Sequence, residues 1–90
     1  MNHAVIRVQQ AAFIASDCVE RVHDLTSLET AGQATVNYVV ILAQTSPEDQ
    51  QTAKDAFQDI PTLGKVLHAL KVASASLNQA SFAGALAQVS

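Results

Sequence analysis

Residues 5–22 read VIRVQQAAFIASDCVERV, and this stretch decides the fold class. Its small apolar residues recur at intervals of three and four, the spacing of a helix that packs along a heptad seam. Phe13, Ile14 and Cys18 widen the apolar stripe, which indicates a helix covered on more than one side. The seam residues of this first helix, expected over about residues 3–23, are Val5, Val8, Ala12, Ala15, Val19 and Val22.

A second helix is predicted over about residues 26–44. Thr26 and Glu29 have the spacing of a capping box, in which each side chain satisfies a free backbone N–H. No Asp, Glu, Lys or Arg occurs in residues 30–47. The β-branched residues 39–41 would also suit a buried strand, but one strand has no pairing partner here, so a helix is preferred.

Ser46 and Pro47 mark the start of a third, short helix. Serine is a good N-cap, and proline fits the first helical position because it has no N–H to leave unpaired. This helix is expected to run to about Asp59, and Pro61 ends it because proline cannot continue the backbone hydrogen bonds. With few apolar residues, it is interpreted as a solvated connector with one buried side.

The last segment, residues 63–90, is predicted to be helical, with Thr62 as its N-cap. Heptad spacing continues along its whole length, which favours one long helix. Asn78 could interrupt it and give two helices instead. The seam residues of this segment are Val66, Leu70, Ala73, Leu77, Ala80, Gly84 and Ala87.

These segments predict a single all-α domain over residues 1–90. The expected architecture is a small antiparallel bundle of three to four helices with heptad-like Ala/Val/Leu seams. Only 14% of the residues are charged, against about 25% in an average domain. Residues 30–47 and 72–90 carry no charge at all. A small chain accommodates such segments more easily when neighbouring molecules cover them, which favours assembly.

The composition argues against several classes of partner. The net charge is −3 and the five basic residues are scattered, so neither nucleic acid nor an anionic membrane surface is expected. The strongest apolar run, residues 38–43, is too short to span a bilayer. Arg7 interrupts any signal-peptide core. We therefore expect a cytoplasmic protein without stable membrane insertion, with leaderless export left open.

No metal or cofactor is expected. The single cysteine, Cys18, excludes an internal disulfide and lies in the apolar stripe, where it acts as a small hydrophobe. His3 and His23 have no set of converging ligands, and a stable metal site needs three or four. The acidic residues of the first and third segments are interpreted as solvated helix faces.

One short segment resembles the phosphorylated-histidine segment of histidine phosphotransfer domains. His68 is followed by Lys71 and then by Leu77, which matches the spacing of that family's histidine, lysine and apolar residue. The resemblance implies that His68 accepts a phosphoryl group and that the Lys71 ammonium stabilises it. Val72 and Asn78 stand where the family has glycines, and the similarity covers about 15 residues.

The preferred prediction is a non-catalytic helical interaction protein rather than an enzyme. Such a protein would self-associate, as an oligomer or filament subunit, or dock helically on a protein partner. In general character it is similar to the small charge-poor helical subunits of bacterial secretion needles. The alternatives are the phosphotransfer domain and a small regulatory protein that buries a partner's helix. The candidate interface residues are Val5, Val8, Ala12, Ala15, Val19, Leu70, Ala73, Leu77, Ala80 and Gly84.

Overall fold

A computed structural model describes residues 3–57, 60 and 62–89 of the chain. These residues form five α-helices and no strand, which confirms the all-α class. The number of helices is five rather than the predicted three or four. In chain order they are α1 (His3–Glu20), α2 (Leu25–Ala43), α3 (Pro47–Ala56), α4 (Leu63–Ser76) and α5 (Ala80–Val89).

Three helix starts are set by local side-chain caps. Ser46 accepts a hydrogen bond from the backbone N–H of Asp49, and Thr62 accepts one from Lys65, as the sequence predicted. The capping box of α2 was predicted two residues too late. Its N-cap is Asp24, whose Oδ1 accepts from Ser27 N at 2.7 Å while Ser27 Oγ accepts from Asp24 N at 3.0 Å. Aspartate ranks above threonine as an N-cap, which favours the earlier start.

The other helix boundaries agree only in part with the predictions from the sequence. Residues 39–41 lie in α2, so the preference for helix over strand was right. Helix α3 ends at Ala56, and the predicted boundary residues Asp59 and Pro61 lie outside the described residues. The predicted single helix over residues 63–90 was wrong, because the chain turns after Leu77 and a separate helix, α5, begins at Ala80.

The five helices enclose one core. Helix α1 packs most extensively against α2, and it also contacts α3 and α4, while α5 lies on α4 and reaches α2. The wide apolar stripe of α1 is explained by these neighbours. The residues with no exposed surface include Ala12, Ala15, Ala31, Thr35, Leu70 and Ser74. The small side chains of α1 and α2 let the two helix backbones approach closely.

Candidate protein-interaction site

An open groove of about 570 Å³ runs between α1 and α2 on the surface. We call it the α1–α2 groove. Buried Ala11 and Ala34 lie in it, and small side chains at these positions leave room for an incoming side chain. Its lining residues are Arg7, Gln10, Ala11, Ile14 and Cys18 from α1, and Thr30, Gln33, Ala34, Asn37 and Ile41 from α2.

The side chains around the α1–α2 groove combine apolar surface with uncharged polar groups. Ile14 is 58% exposed, while Cys18 and Ile41 are half-buried. On the α2 side, Gln33 Nε2 donates a hydrogen bond to Asn37 Oδ1 at 3.2 Å. Arg7 is the one charged residue of the lining. Such a surface favours an apolar or weakly polar occupant over a charged one.

A second apolar contact lies where α3 ends against α1. The rings of Phe13 and Phe57 meet edge to face, with centroids 5.4 Å apart and planes at 81°. This geometry is favourable for two aromatic rings, because the positive edge of one faces the negative face of the other. Both rings remain more than 40% exposed. The pair therefore fastens α3 to α1 and also presents apolar surface to solvent.

The ten candidate interface residues occupy different environments. Half of them are buried in the core of the chain itself: Val5, Val8, Ala12, Ala15 and Leu70. Three are half-buried against that core: Val19, Ala73 and Leu77. Two lie exposed on α5: Ala80 and Gly84. The seam of α1 thus packs within the chain, and only the two α5 residues are open to a neighbour without rearrangement.

His68 lies exposed in the middle of α4, and Lys71 is exposed one turn further on. Leu77, the third residue of the phosphotransfer-like spacing, is half-buried at the end of α4. No hydrogen bond or ion pair involves the His68 ring within the part of the chain that the structure describes. Its ring nitrogens are therefore accessible from solvent.

The other two histidines show no ligand site. His23 lies between α1 and α2, where its Nδ1 is 2.8 Å from the Arg21 carbonyl oxygen and its Nε2 is 3.4 Å from Asp24 Oδ2. Among residues 3–57, 60 and 62–89, no three His, Cys, Asp or Glu side chains are grouped to hold a metal ion. No helix within those same ranges has the length and apolar character needed to cross a membrane.

Neither a protein-family model, nor a curated protein, nor a solved structure matches this chain. Candidate contact residues are therefore chosen from surface shape and exposure alone. The sequence analysis placed Ile14 in the apolar stripe of α1 and did not predict its exposure, and it did not single out Ile41 or Phe57 as surface residues. The one signal in the sequence was the breadth of the α1 stripe, because a single helix rarely covers so wide an apolar face.

Proposed function

We propose that this chain is a non-catalytic helical interaction protein. It acts by self-association, as an oligomer or filament subunit, or by docking helically on a protein partner. The observation that supports the proposal best is the open α1–α2 groove with Ile14 at its edge. An amphipathic helix laid into an apolar groove is a common mode of peptide recognition. In this proposal the five helices form a small antiparallel bundle that presents the groove.

Binding of an apolar helix in the α1–α2 groove is energetically favourable. Covering Ile14, which is 58% exposed, contributes about 1–2 kcal/mol, somewhat more than half of the value for a fully exposed side chain of its size. The α2 side of the groove belongs to the charge-free residues 30–47, so an incoming apolar helix meets no charge there that must be desolvated. Val36 and Val40 extend the uncharged exposed surface along α2. A partner helix with a narrow apolar stripe and polar edges fits these features.

Ile14→Glu tests the groove, and Val72→Glu is its matched control. Val72 is 53% exposed on α4, outside the groove, so it carries the same charge change at similar exposure. Light scattering over a range of concentrations measures the solution mass. The mass of the wild type and of Val72→Glu should rise with concentration. Ile14→Glu should remain monomeric with an unchanged circular dichroism spectrum.

A wild type that is monomeric at every concentration would contradict self-association. Docking is then tested with a labelled synthetic helix that has leucines on one face and uncharged polar residues on the other. Saturable binding to the wild type and to Val72→Glu, but not to Ile14→Glu, supports docking in the groove. Equal binding to all three proteins, or none, contradicts it.

A phosphotransfer domain is the second candidate function. It is favoured by the exposure of His68 and Lys71 on one side of α4, because a phosphoacceptor must be reached by a donor protein. In this reaction an imidazole nitrogen of His68 would attack the phosphorus of a donor's aspartyl phosphate. The P–O bond to the donor breaks, and its aspartate leaves as a carboxylate. The Lys71 ammonium would pair with the phosphoryl oxygens.

A further inference from the structure

The turn between α4 and α5 has the hydrogen bonds of a Schellman motif. Gln79 N donates to the Ser74 carbonyl oxygen at 2.7 Å, and Asn78 N donates to the Ala75 carbonyl oxygen at 3.0 Å. The buried Ser74 hydroxyl also donates to the Gln79 carbonyl oxygen. Such a motif needs a residue in the left-handed region, usually glycine. Here that residue is Asn78, with φ = 58°.

No residue in the turn forces the helix to end. Residues 74–83 contain neither Gly nor Pro, and the heptad spacing passes through the turn without a change of register. Asn78 is the one non-glycine residue with positive φ among the described residues. Gln79, which precedes α5, is not a residue type that caps helices well. Asparagine enters the left-handed region more readily than most residues, but the heptad spacing also suits a straight helix. The tertiary contacts of α5 therefore contribute to maintaining the bend.

Helix α5 packs mainly on α4, and its contacts with α2 are fewer. Leu86 is the one buried side chain among the described residues of α5, and Phe82 is half-buried. The Phe82 ring lies so close to the backbone of Gly32 that a Cβ there would overlap it. Helix α5 thus contacts a short stretch of α2. We call the groove between these two helices the α2–α5 groove. It is lined by Glu29, Gly32, Gln33 and Val36 of α2 and by Phe82, Ala85 and Leu86 of α5.

We propose that α5 exchanges between copies of this chain. Helices α4 and α5 straighten through Asn78 into one helix, and Phe82 and Leu86 enter the α2 side of the α2–α5 groove of a second copy. The inference rests on the self-association part of the proposed function, but it places the contact between copies at the α2–α5 groove rather than at the α1–α2 groove. Reciprocal exchange closes a dimer, and exchange in one direction builds an open chain of subunits.

Straightening breaks the packing of α5 on its own α4, so in the exchange α5 packs on α4 of the second copy as well as on its α2. The second copy offers the same α2 surface as the chain itself, including Gly32, so the contacts of Phe82 and Leu86 form again. Straightening replaces the turn's hydrogen bonds with regular helical bonds, and it pairs carbonyls at the end of α4 with amides at the start of α5. It also returns Asn78 to a helical φ, which removes the unfavourable left-handed conformation. The straight helix, residues 63–89, is about 40 Å long.

Two substitutions at Asn78 shift the equilibrium between the bent monomer and the exchanged dimer in opposite directions. Asn78→Ala disfavours the left-handed turn and favours helix, whereas Asn78→Gly stabilises the turn and disfavours helix. Formation of a reciprocal dimer straightens one such turn in each chain. In Asn78→Ala, the equilibrium between turn and helix shifts toward helix by about tenfold in each chain. Two such shifts lower the dimer dissociation constant about a hundredfold. Asn78→Gly should raise it, as measured by sedimentation or light scattering over concentration.

A cross-linking experiment identifies the contact directly in the Asn78→Ala background. One chain carries Cys18→Ser with Val36→Cys, and the other carries Cys18→Ser with Ala85→Cys. Each chain then has one thiol, so a short bismaleimide joins Val36→Cys to Ala85→Cys only between molecules. We expect a heterodimer after mixing. It should be lost when Val72→Cys replaces Val36→Cys, because Val72 does not line the α2–α5 groove.

The outcomes separate this inference from the proposed function. Exchange is overturned if the two Asn78 variants have the same mass profile as the wild type while Ile14→Glu still abolishes association. It is also overturned if the folded Asn78→Ala protein stays monomeric at every concentration. Cross-linking from Val72→Cys as efficient as from Val36→Cys would overturn it too, because the contact would be nonspecific.

Discussion

The Phe82 ring of α5 packs directly on the backbone of Gly32 in α2. A Cβ at Gly32 would lie 3.2 Å from Cε2 of that ring and closer still to its Cζ. Glycine in the middle of a helix costs about 0.5–1 kcal/mol relative to alanine. That cost is offset here because the missing side chain lets an aromatic ring of α5 approach. The close approach of the Phe82 ring to α2 thus depends on the absence of a side chain at Gly32.

Gly32→Ala should release α5 while leaving most of the domain intact. The new methyl displaces the Phe82 ring, which loses part of a burial contribution of about 1.5–3 kcal/mol. The alanine regains about 1 kcal/mol of helix propensity, so the free energy of unfolding should change little. Hydrogen exchange should instead increase in residues 80–89. In the Phe82→Ala background the same substitution should have no such local effect. Unchanged protection of α5 in Gly32→Ala would contradict the packing.

Gly84→Leu tests whether the small-residue face of α5 meets a neighbouring molecule. No heavy atom lies within 4 Å of a Cβ built at Gly84, and the same holds at Gly64 in α4. Leucine at either position therefore meets no clash within the chain and raises helix propensity by up to about 1 kcal/mol. We expect Gly84→Leu to reduce the oligomer in light scattering and Gly64→Leu to retain it. Equal masses for both variants would argue against an α5 interface.

The cap of α2 should make stability depend on pH. The backbone N–H of Ser27, and then its hydroxyl, hold the pKa of the Asp24 carboxyl below its ordinary value. A lowered folded-state pKa contributes stability above the unfolded pKa of about 4, and that contribution is lost as the pH falls through the folded pKa. The melting temperature of the wild type should therefore decrease below about pH 4 more steeply than that of Asp24→Asn, which caps without titrating.

Thr26→Ala is the control for that cap. Thr26 is where the sequence placed the N-cap, but it lies inside α2 and its side chain is exposed. Alanine there should leave the melting temperature almost unchanged, whereas Asp24→Ala should lower it by about a few degrees. The reverse order of the two effects would mean that α2 begins at Thr26.

The phosphotransfer alternative predicts labelling at one histidine. Response regulators charged with acetyl phosphate should transfer a labelled phosphoryl group to the wild type but not to His68→Gln. His3→Gln should still be labelled, because that exposed histidine lies in α1 and is not part of the motif. Lys71→Ala should slow transfer, since the ammonium no longer stabilises the phosphoryl oxygens. A wild type that is unlabelled across a broad regulator panel would count against this function.

Local sequence determined the helices and several of their ends. Caps such as Ser46 and Thr62 act over three residues, and helical periodicity acts over four, so neither depends on the rest of the chain. Because a cap involves only residues three positions apart, two capping pairs can lie close together in the sequence. This explains why the start of α2 was predicted two residues too late. Asp24–Ser27 and Thr26–Glu29 are competing local caps, and their difference in energy is small.

Tertiary structure decided the bend at Asn78 and the division between core and surface. A continuous helix over residues 63–89 agrees with the heptad spacing, and Asn78 alone indicates a stop. Bending lets Phe82 and Leu86 reach α2, and that burial outweighs one left-handed residue. In the same way, the wide stripe of α1 does not say which of its sides remains open. The packing of α2 beside it leaves Ile14 in solvent. The sequence pattern shows which face of a helix is apolar. Only the packing of the other helices determines which residues of that face are buried.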